Sequence, residues 1–372
     1  MVVPPLPVEI IEHIIKQSLP PLRFDTFKER YELLRTFALV DSRWRVLAQR
    51  ELGKHLMVTR AGQKELEETL NHRENFGRQA QSVWATADGL VATASDKPKI
   101  MALVEEVLDR SELRHLTMSC INLNGDMELF EQGRSLRSCT LHYSDFTFDW
   151  TAPTIQHLKS LYLVDSYFYD GDGEWLSFLN PTSDPSLRRL QLLRTNIINT
   201  FNESRSDPRD RGGIIHSILA VAARLEVLSI CEADHPSIAN SLSAGDWLTF
   251  SKLRNLTLST AGDLSKQHSW LQTLEHLPPN LESVTIHVLN AAELDVLYHD
   301  IEQAVQRWGK KKWQLLIKLL NPTVYLDQTD PKEEALEPRS SLLRTATERG
   351  LKMEISSSEA TYVDWQTFFD DW

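Results

Sequence analysis

From Leu113 onward in this 372-residue chain a Leu-x-x-Leu-x-Leu core, with occasional substitution, recurs seven times. The sets are Leu113-Leu116-Met118, Leu136-Cys139-Leu141, Leu158-Leu161-Leu163, Leu187-Leu190-Leu192, Leu225-Leu228-Ile230, Leu253-Leu256-Leu258 and Leu281-Val284-Ile286. Their first positions lie 23, 22, 29, 38, 28 and 28 residues apart. Most of these intervals fall at roughly 20–29 residues, the period at which a strand with its return segment forms one turn of a leucine-rich array. A strand of this kind cannot bury its apolar face alone, so each repeat is stable only when stacked on its neighbours.

Amphipathic stretches precede several of these strands, at Met101–Leu108, Ile214–Ala223 and Ser269–Leu277, with apolar residues recurring every three to four positions. Pro278-Pro279-Asn280 stops the last of them, because proline lacks the N–H that a helix needs and restricts the residue before it. The longest interval contains Asn202–Gly213, whose Ser, Asp, Arg and Gly residues read as an inserted loop. Beyond Ile286 the pattern predicts a helix at Ala291–Trp308, a strand at Trp313–Leu320, a helix at Ser340–Arg349 ended by Gly350, and a strand at Leu351–Ile355. Before Leu113 it predicts atypical first repeats, with strands at Lys54–Val58 and Gln81–Trp84 around a helix at Gln63–His72. The expected class is α/β, an irregular leucine-rich-repeat solenoid over residues 53–358 with parallel strands on the concave side and helices on the convex side.

The formal charge of −12 is unevenly spread. Residues 1–60 hold 10 Lys/Arg and 7 Asp/Glu, about +3, which leaves 30 against 45, or −15, for the remainder. An acidic body repels a phosphate backbone, so nucleic acid is not the expected partner. No run of 18 apolar residues occurs and the N-terminus has no secretory pattern, so an intracellular protein, cytoplasmic or nuclear, is expected, without membrane contact. Cys120, Cys139 and Cys231 form no CxxC pair, so neither a disulfide framework nor a zinc site is expected. No nucleophile elbow, phosphate-binding glycine loop, His-Glu-x-x-His or GxGxxG occurs, and the chain reads as a non-enzyme with no catalytic residues, metal or cofactor. Asp170-Gly171-Asp172-Gly173-Glu174 lacks the glycine and glutamate that a calcium loop requires at its sixth and twelfth positions. His115, His142 and His157 lie near successive strands but have no matching acidic partners, and Lys310–Lys312 reads as a solvated basic cap.

Residues 1–52 have another character. Leu6-Pro7-Val8-Glu9 opens a helix, since proline is tolerated in the first turn and Glu9 complements the positive end of the dipole. Ile10, Ile11, Ile14 and Ile15 then form two adjacent apolar ridges. A second helical pattern includes Leu34, Phe37, Val40 and Trp44 as one continuous stripe. Two short helices cannot bury both stripes against each other, which leaves apolar surface for the rest of the chain or for a partner. These residues, with Leu33-Leu34 and Leu39-Val40-x-x-Arg43-Trp44-Arg45-x-Leu47-Ala48, resemble an F-box. Asp41 stands where that family more often has a small neutral residue or cysteine. The resemblance implies that Leu6, Pro7, Ile10, Ile11, Ile14, Val40 and Trp44 lie at or near a surface gripping the Skp-type adaptor of a cullin ubiquitin ligase.

On the repeats, residues between the leucines should point outward side by side. Six Lys/Arg against two Glu stand at these positions, contrary to the acidic body: Arg114, Arg137, Lys159, Arg188, Arg189 and Arg254 against Glu226 and Glu282. With Tyr162 they form the expected client face, a basic stripe suited to an acidic or phosphorylated protein segment, or else a row of solvated strand-start residues. The tail 359–372, rich in Asp, Phe and Trp without Lys or Arg, is expected to cap the last repeat or to block that face. Together these features predict a substrate-recruiting receptor subunit of a Skp-cullin-F-box ligase. The alternative is a leucine-rich interaction scaffold with no ligase role.

Overall fold

In the computed structural model of the protein, all three apolar positions of each of the seven recurring sets are buried. The structure describes residues 6–20, 26–59, 62–72, 77–86, 97–121, 123–124, 135–142, 144–147, 158–164, 167–170, 186–193, 196–199, 218–219, 221–231, 242–260, 276–278, 280–288, 294–308, 313–320 and 336–358. The Asn202–Gly213 insertion, His157, residues 171–174, Lys310–Lys312 and the tail 359–372 lie outside them, as do half of the expected Ile214–Ala223 helix and most of the expected Ser269–Leu277 helix.

Among the described residues the helices are α1 (Val8–Ser18), α2 (Phe27–Phe37), α3 (Ser42–Lys54), α4 (Gln63–His72), α5 (Lys97–Arg110), α6 (Ala244–Thr249), α7 (Leu294–Arg307) and α8 (Leu336–Glu348). The first strands are β1 (His55–Thr59), β2 (Ser82–Thr86) and β3 (His115–Ser119). Then follow β5 (Ser138–His142), β7 (Ser160–Val164), β9 (Arg189–Leu193), β11 (Val227–Cys231), β12 (Asn255–Thr260), β13 (Ser283–Val288), β14 (Gln314–Leu320) and β15 (Met353–Ser358). Short strands β4 (Leu123–Asn124), β6 (Asp145–Thr147), β8 (Tyr167–Asp170) and β10 (Asn196–Asn199) come between them. The fold is α/β, with an eleven-stranded parallel sheet in the order β1-β2-β3-β5-β7-β9-β11-β12-β13-β14-β15, compatible with a solenoid-like arrangement. The four short strands form a second parallel sheet, ordered β10-β8-β6-β4, which the sequence pattern does not predict.

The chain divides into two compact units inside β3, one ending at Thr117 and the other running from Met118 to Tyr362. In the first, α5 packs on β1 and β2, which pair in parallel from His55 opposite Ser82. Phe27 of α2 stacks on Tyr31 at 5.2 Å and meets Trp84 of β2 edge-on at 6.5 Å. The helical head is thus packed onto the first strands within one unit, and no division falls at residues 52–53.

In the second unit the leucine register is continuous. Leu161 pairs with Cys139 and Leu190, Leu228 with Leu190 and Leu256, and Val284 with Leu256 and Leu315. Along β13 buried and half-buried residues alternate, as expected for a sheet with one closed face. β5 and β7 differ, because Ser138, Thr140, Ser160 and Tyr162, expected to be open, are buried too.

α8 ends where Gly350 takes φ +69°, with Gly350 N–H donating to Thr347 O and Leu351 N–H to Ala346 O. A Cβ there would meet nothing within 4 Å, so replacement strains the backbone alone. Gly350→Ala is expected to lower unfolding stability by about 1–2 kcal/mol, and Gly350→Asn by less, in urea denaturation followed by circular dichroism.

Candidate interaction surfaces

The head begins from a single carboxylate. Asp41 caps α3, its Oδ1 accepting from Arg43 N at 2.7 Å and Trp44 N at 3.1 Å. Those amide bonds, Trp44's foremost, and the Arg43 guanidinium hold the Asp41 carboxyl below its ordinary range. This cap corrects the expected second helix: the stripe through Leu34, Phe37, Val40 and Trp44 is broken by a turn at Ala38–Val40, and a new helix starts after Asp41.

Arg43 then joins the start of α1 to the same corner. Its Nη1 donates to Leu6 O at 3.1 Å, and its Nη2 lies 3.5 Å from Asp41 Oδ2. Further along, Arg50 reaches Glu12 across the two helices at 3.0 Å. With Leu6 beside Arg43 and Glu12 beside Arg50, α1 and α3 run side by side in the same direction. Ile11, Ile15, Leu34, Leu47 and Ala48 form the core beneath, with Phe37, Trp44 and Leu52 packed at its margin.

What this core leaves outside is apolar. Leu6, Val8 and Ile10 at the start of α1 are about half exposed, Val46 of α3 is exposed, and Leu39 and Val40 in the turn are 80% and 58% exposed. Several exposed apolar side chains on one small module are of the kind that marks a contact surface. Of the residues implied by the F-box resemblance, Leu6, Pro7, Ile10 and Val40 are exposed, and Ile14 and Trp44 are half-buried. Ile11 is corrected: at 0% exposure it belongs to the core, because only one of the two ridges of α1 can face solvent while the other closes the module. Val8, Leu39 and Val46 are exposed as well but were missed. The available signal was the Asp41-Ser42 start of a helix, which places Leu39 in the turn before it.

Five of the six basic residues stand just before a strand, and Arg189 is the first residue of β9. In the second unit the residue before each strand donates its N–H to its counterpart in the preceding repeat: Lys159 to Arg137, Arg188 to Lys159, Glu226 to Arg188, Arg254 to Glu226, and Glu282 to Arg254, at 2.7–2.9 Å. Rungs so joined lie roughly 4.8 Å apart, close enough for side chains to pair along the column. Arg188 reaches Glu226 at 2.9 Å, and Arg254 reaches Glu282 at 3.6 Å. Two of the six cations of the expected stripe, Arg188 and Arg254, are therefore paired with the next rung. Lys159 and Arg188 are exposed, as are Arg114 and Arg254, whereas Arg137 and Arg189 are half-buried. Tyr162 is corrected: it is 3% exposed, and it stands in register between Thr140 and Gln191.

Cys139 is buried in the second unit's sheet, where burial pushes its thiol up. Among the described residues no group of three His, Cys, Asp or Glu could hold a metal ion, and no helix is long and apolar enough to cross a membrane. No protein-family model matches the sequence, and no curated protein is similar to it.

Within the first unit, His55 lies buried where α3 passes into β1, its Nδ1 sharing a 2.9 Å hydrogen bond with the Ser82 hydroxyl. Burial foremost, then the charges of Arg30, Lys54 and His115, lower its pKa to about 3. The unfolded imidazole titrates near 6.5, so between roughly pH 6.5 and 3 the unfolded chain binds a proton that the folded chain refuses. Stability is complete above that window and falls as pH drops through it. His55→Asn should flatten the fall in Tm between pH 7 and 4.5, measured against wild type by thermal unfolding.

Proposed function

We propose that the protein is a substrate-recruiting receptor subunit of a Skp-cullin-F-box type ubiquitin ligase. The head docks the adaptor, and the repeats hold a protein client, acidic or phosphorylated, while other subunits perform the chemistry. The observation that carries this reading is the head's division of labour: Ile11, Ile15, Leu34 and Leu47 close a core, and Leu6, Val8, Ile10, Leu39, Val40 and Val46 remain outside it. Apolar side chains exposed around a rigid corner match what a docking surface needs, anchors that lose water on contact and little ordering on binding. Such a receptor accelerates transfer by raising the local concentration of client beside the ligase. The exposed Lys159, which stands between the rungs of Arg137 and Arg188 with no glutamate beside it, supports a polar client contact at the strand-start edge of the sheet.

A second reading, an interaction scaffold whose head is only a cap, has its own support. Phe27 packs on Trp84, and the Tyr31 hydroxyl donates to His55 O at 3.5 Å, as a cap on the first strands would. The two readings differ over the exposed corner. Pull-down of the purified full chain with a Skp-type adaptor is expected to succeed for wild type. It should weaken at least about tenfold for Ile10→Asp/Val40→Asp, with unchanged circular dichroism because both side chains are exposed. Absence of binding by wild type would leave the scaffold.

A further inference from the structure

A cleft of about 330 Å³ opens in the first unit, lined by Arg50, Lys54, Arg78, Gln79, Ala80, Gln81, Glu112 and Arg114. Four cationic residues line it, with Glu112 as the single acidic one. Topology alone assembles them. Arg50 and Lys54 sit one helical turn apart on α3, so they share a face. Lys54, Gln81 and Arg114 are the residues before β1, β2 and β3, joined rung to rung by Gln81 N–H donating to Lys54 O at 2.7 Å and Arg114 N–H to Gln81 O at 2.9 Å. Arg78 and Gln79 come from the tight turn that begins at Gly77, where φ is +88° and Ala80 N–H closes on Gly77 O at 2.9 Å.

The cations differ in their commitments. Arg50 is held at 3.0 Å by Glu12, and Lys54 at 2.9 Å by Glu51, so carboxylates outside the cleft's lining fix these two in place. Arg78 and Arg114 are exposed and make no ion pair among the described residues. Two guanidiniums free to present forked donors, with two anchored cations and two glutamine amides around them, suit a compact dianion with several acceptor oxygens. A phosphate monoester has that charge and that acceptor count. The volume exceeds what the phosphate alone needs and leaves room for the carbon stem that carries it. No aromatic side chain lines the cleft, so it offers no stacking platform for a base, which disfavours a nucleotide or a nucleic-acid strand.

We infer that this cleft is a binding site for a phosphate monoester, with Arg78 and Arg114 as the recognising forks and Arg50 and Lys54 as fixed positive charge. The inference concerns the first unit's own surface and does not depend on adaptor docking. Two sources share this chemistry, a phosphorylated side chain on a protein segment and a small phosphorylated molecule.

The test uses the full chain at about 0.15 M ionic strength, where exposed charges are screened beyond roughly 8 Å and only close contacts count. Two probes are titrated: a fluorescent phosphoserine peptide flanked by glycine and alanine, beside its unphosphorylated twin, and inorganic pyrophosphate. Wild type should bind at least one phosphorylated probe and bind the unphosphorylated peptide at least about tenfold more weakly. Arg78→Ala/Arg114→Ala should lose about tenfold or more in affinity, and Glu112→Gln should tighten binding by removing the one like charge. Arg254→Ala, a cation in the other unit, should change nothing. Preference for the phosphopeptide assigns the site to a modified protein segment, and preference for pyrophosphate to a small molecule; either upholds it. No binding of any probe by wild type, or equal binding by the double arginine variant, would overturn it. Because Arg78 and Arg114 are exposed, unchanged circular dichroism in that variant separates a lost site from a lost fold.

Discussion

Everything in the second unit depends on the lateral pairing of parallel strands. Leu228 is buried only because Leu190 and Leu256 stand beside it in register, and each of those depends on its own neighbours in turn. Burying a leucine side chain contributes roughly 1.5–3 kcal/mol, but a lone repeat would leave one flank of its leucines in water. The same pairing sets the surface. By joining the residue before each strand to its counterpart one rung away, it turns scattered Lys, Arg and Glu residues into a column, and adjacency along the column decides which charges cancel. Arg188 and Arg254 meet glutamates on the next rung, whereas Lys159 stands beside Arg137 and Arg188.

The head follows a different logic. Its decisive interaction is the Asp41 cap, which ends one helix and starts the next within a few residues. Had the stripe continued as one helix, Val40 would lie beside Phe37 and Trp44. The turn instead puts Leu39 and Val40 into solvent and leaves Leu34 in the core. Asp41 is therefore what shapes the exposed corner, and Arg43 extends that corner to Leu6.

How much of this could be read from residues alone varies with the length scale of the signal. The seven strands were legible because period-two burial and a repeat of twenty to forty residues reinforce each other; β3, β5, β7, β9, β11, β12 and β13 stand on the seven sets. Helix α4 coincides with Gln63–His72, where the spacing is that of a helix. The second sheet was not legible, since strands of two to four residues such as Leu123–Asn124 carry too few positions to show a period. Ile10 and Ile11 show a further limit: two adjacent apolar ridges reveal a helix but not which ridge faces the core. Tyr162 shows another, because alternation assigns a residue to a face without saying whether that face is open. The basic cleft lies beyond sequence reading, as Arg50, Lys54, Arg78 and Arg114 meet only through the packing of α3 and the strand-start rungs.

The central claim is that the exposed corner of the head is a docking surface and that the repeats carry their stability independently of what binds there. Amide hydrogen exchange of the full chain, alone and with saturating Skp-type adaptor, tests it most directly. The account predicts added protection confined to residues 6–10 and 39–46, with the amides of β9, β11, β12 and β13 unchanged. Saturating adaptor that leaves residues 6–10 and 39–46 unprotected, or that protects the repeat strands instead, would contradict it.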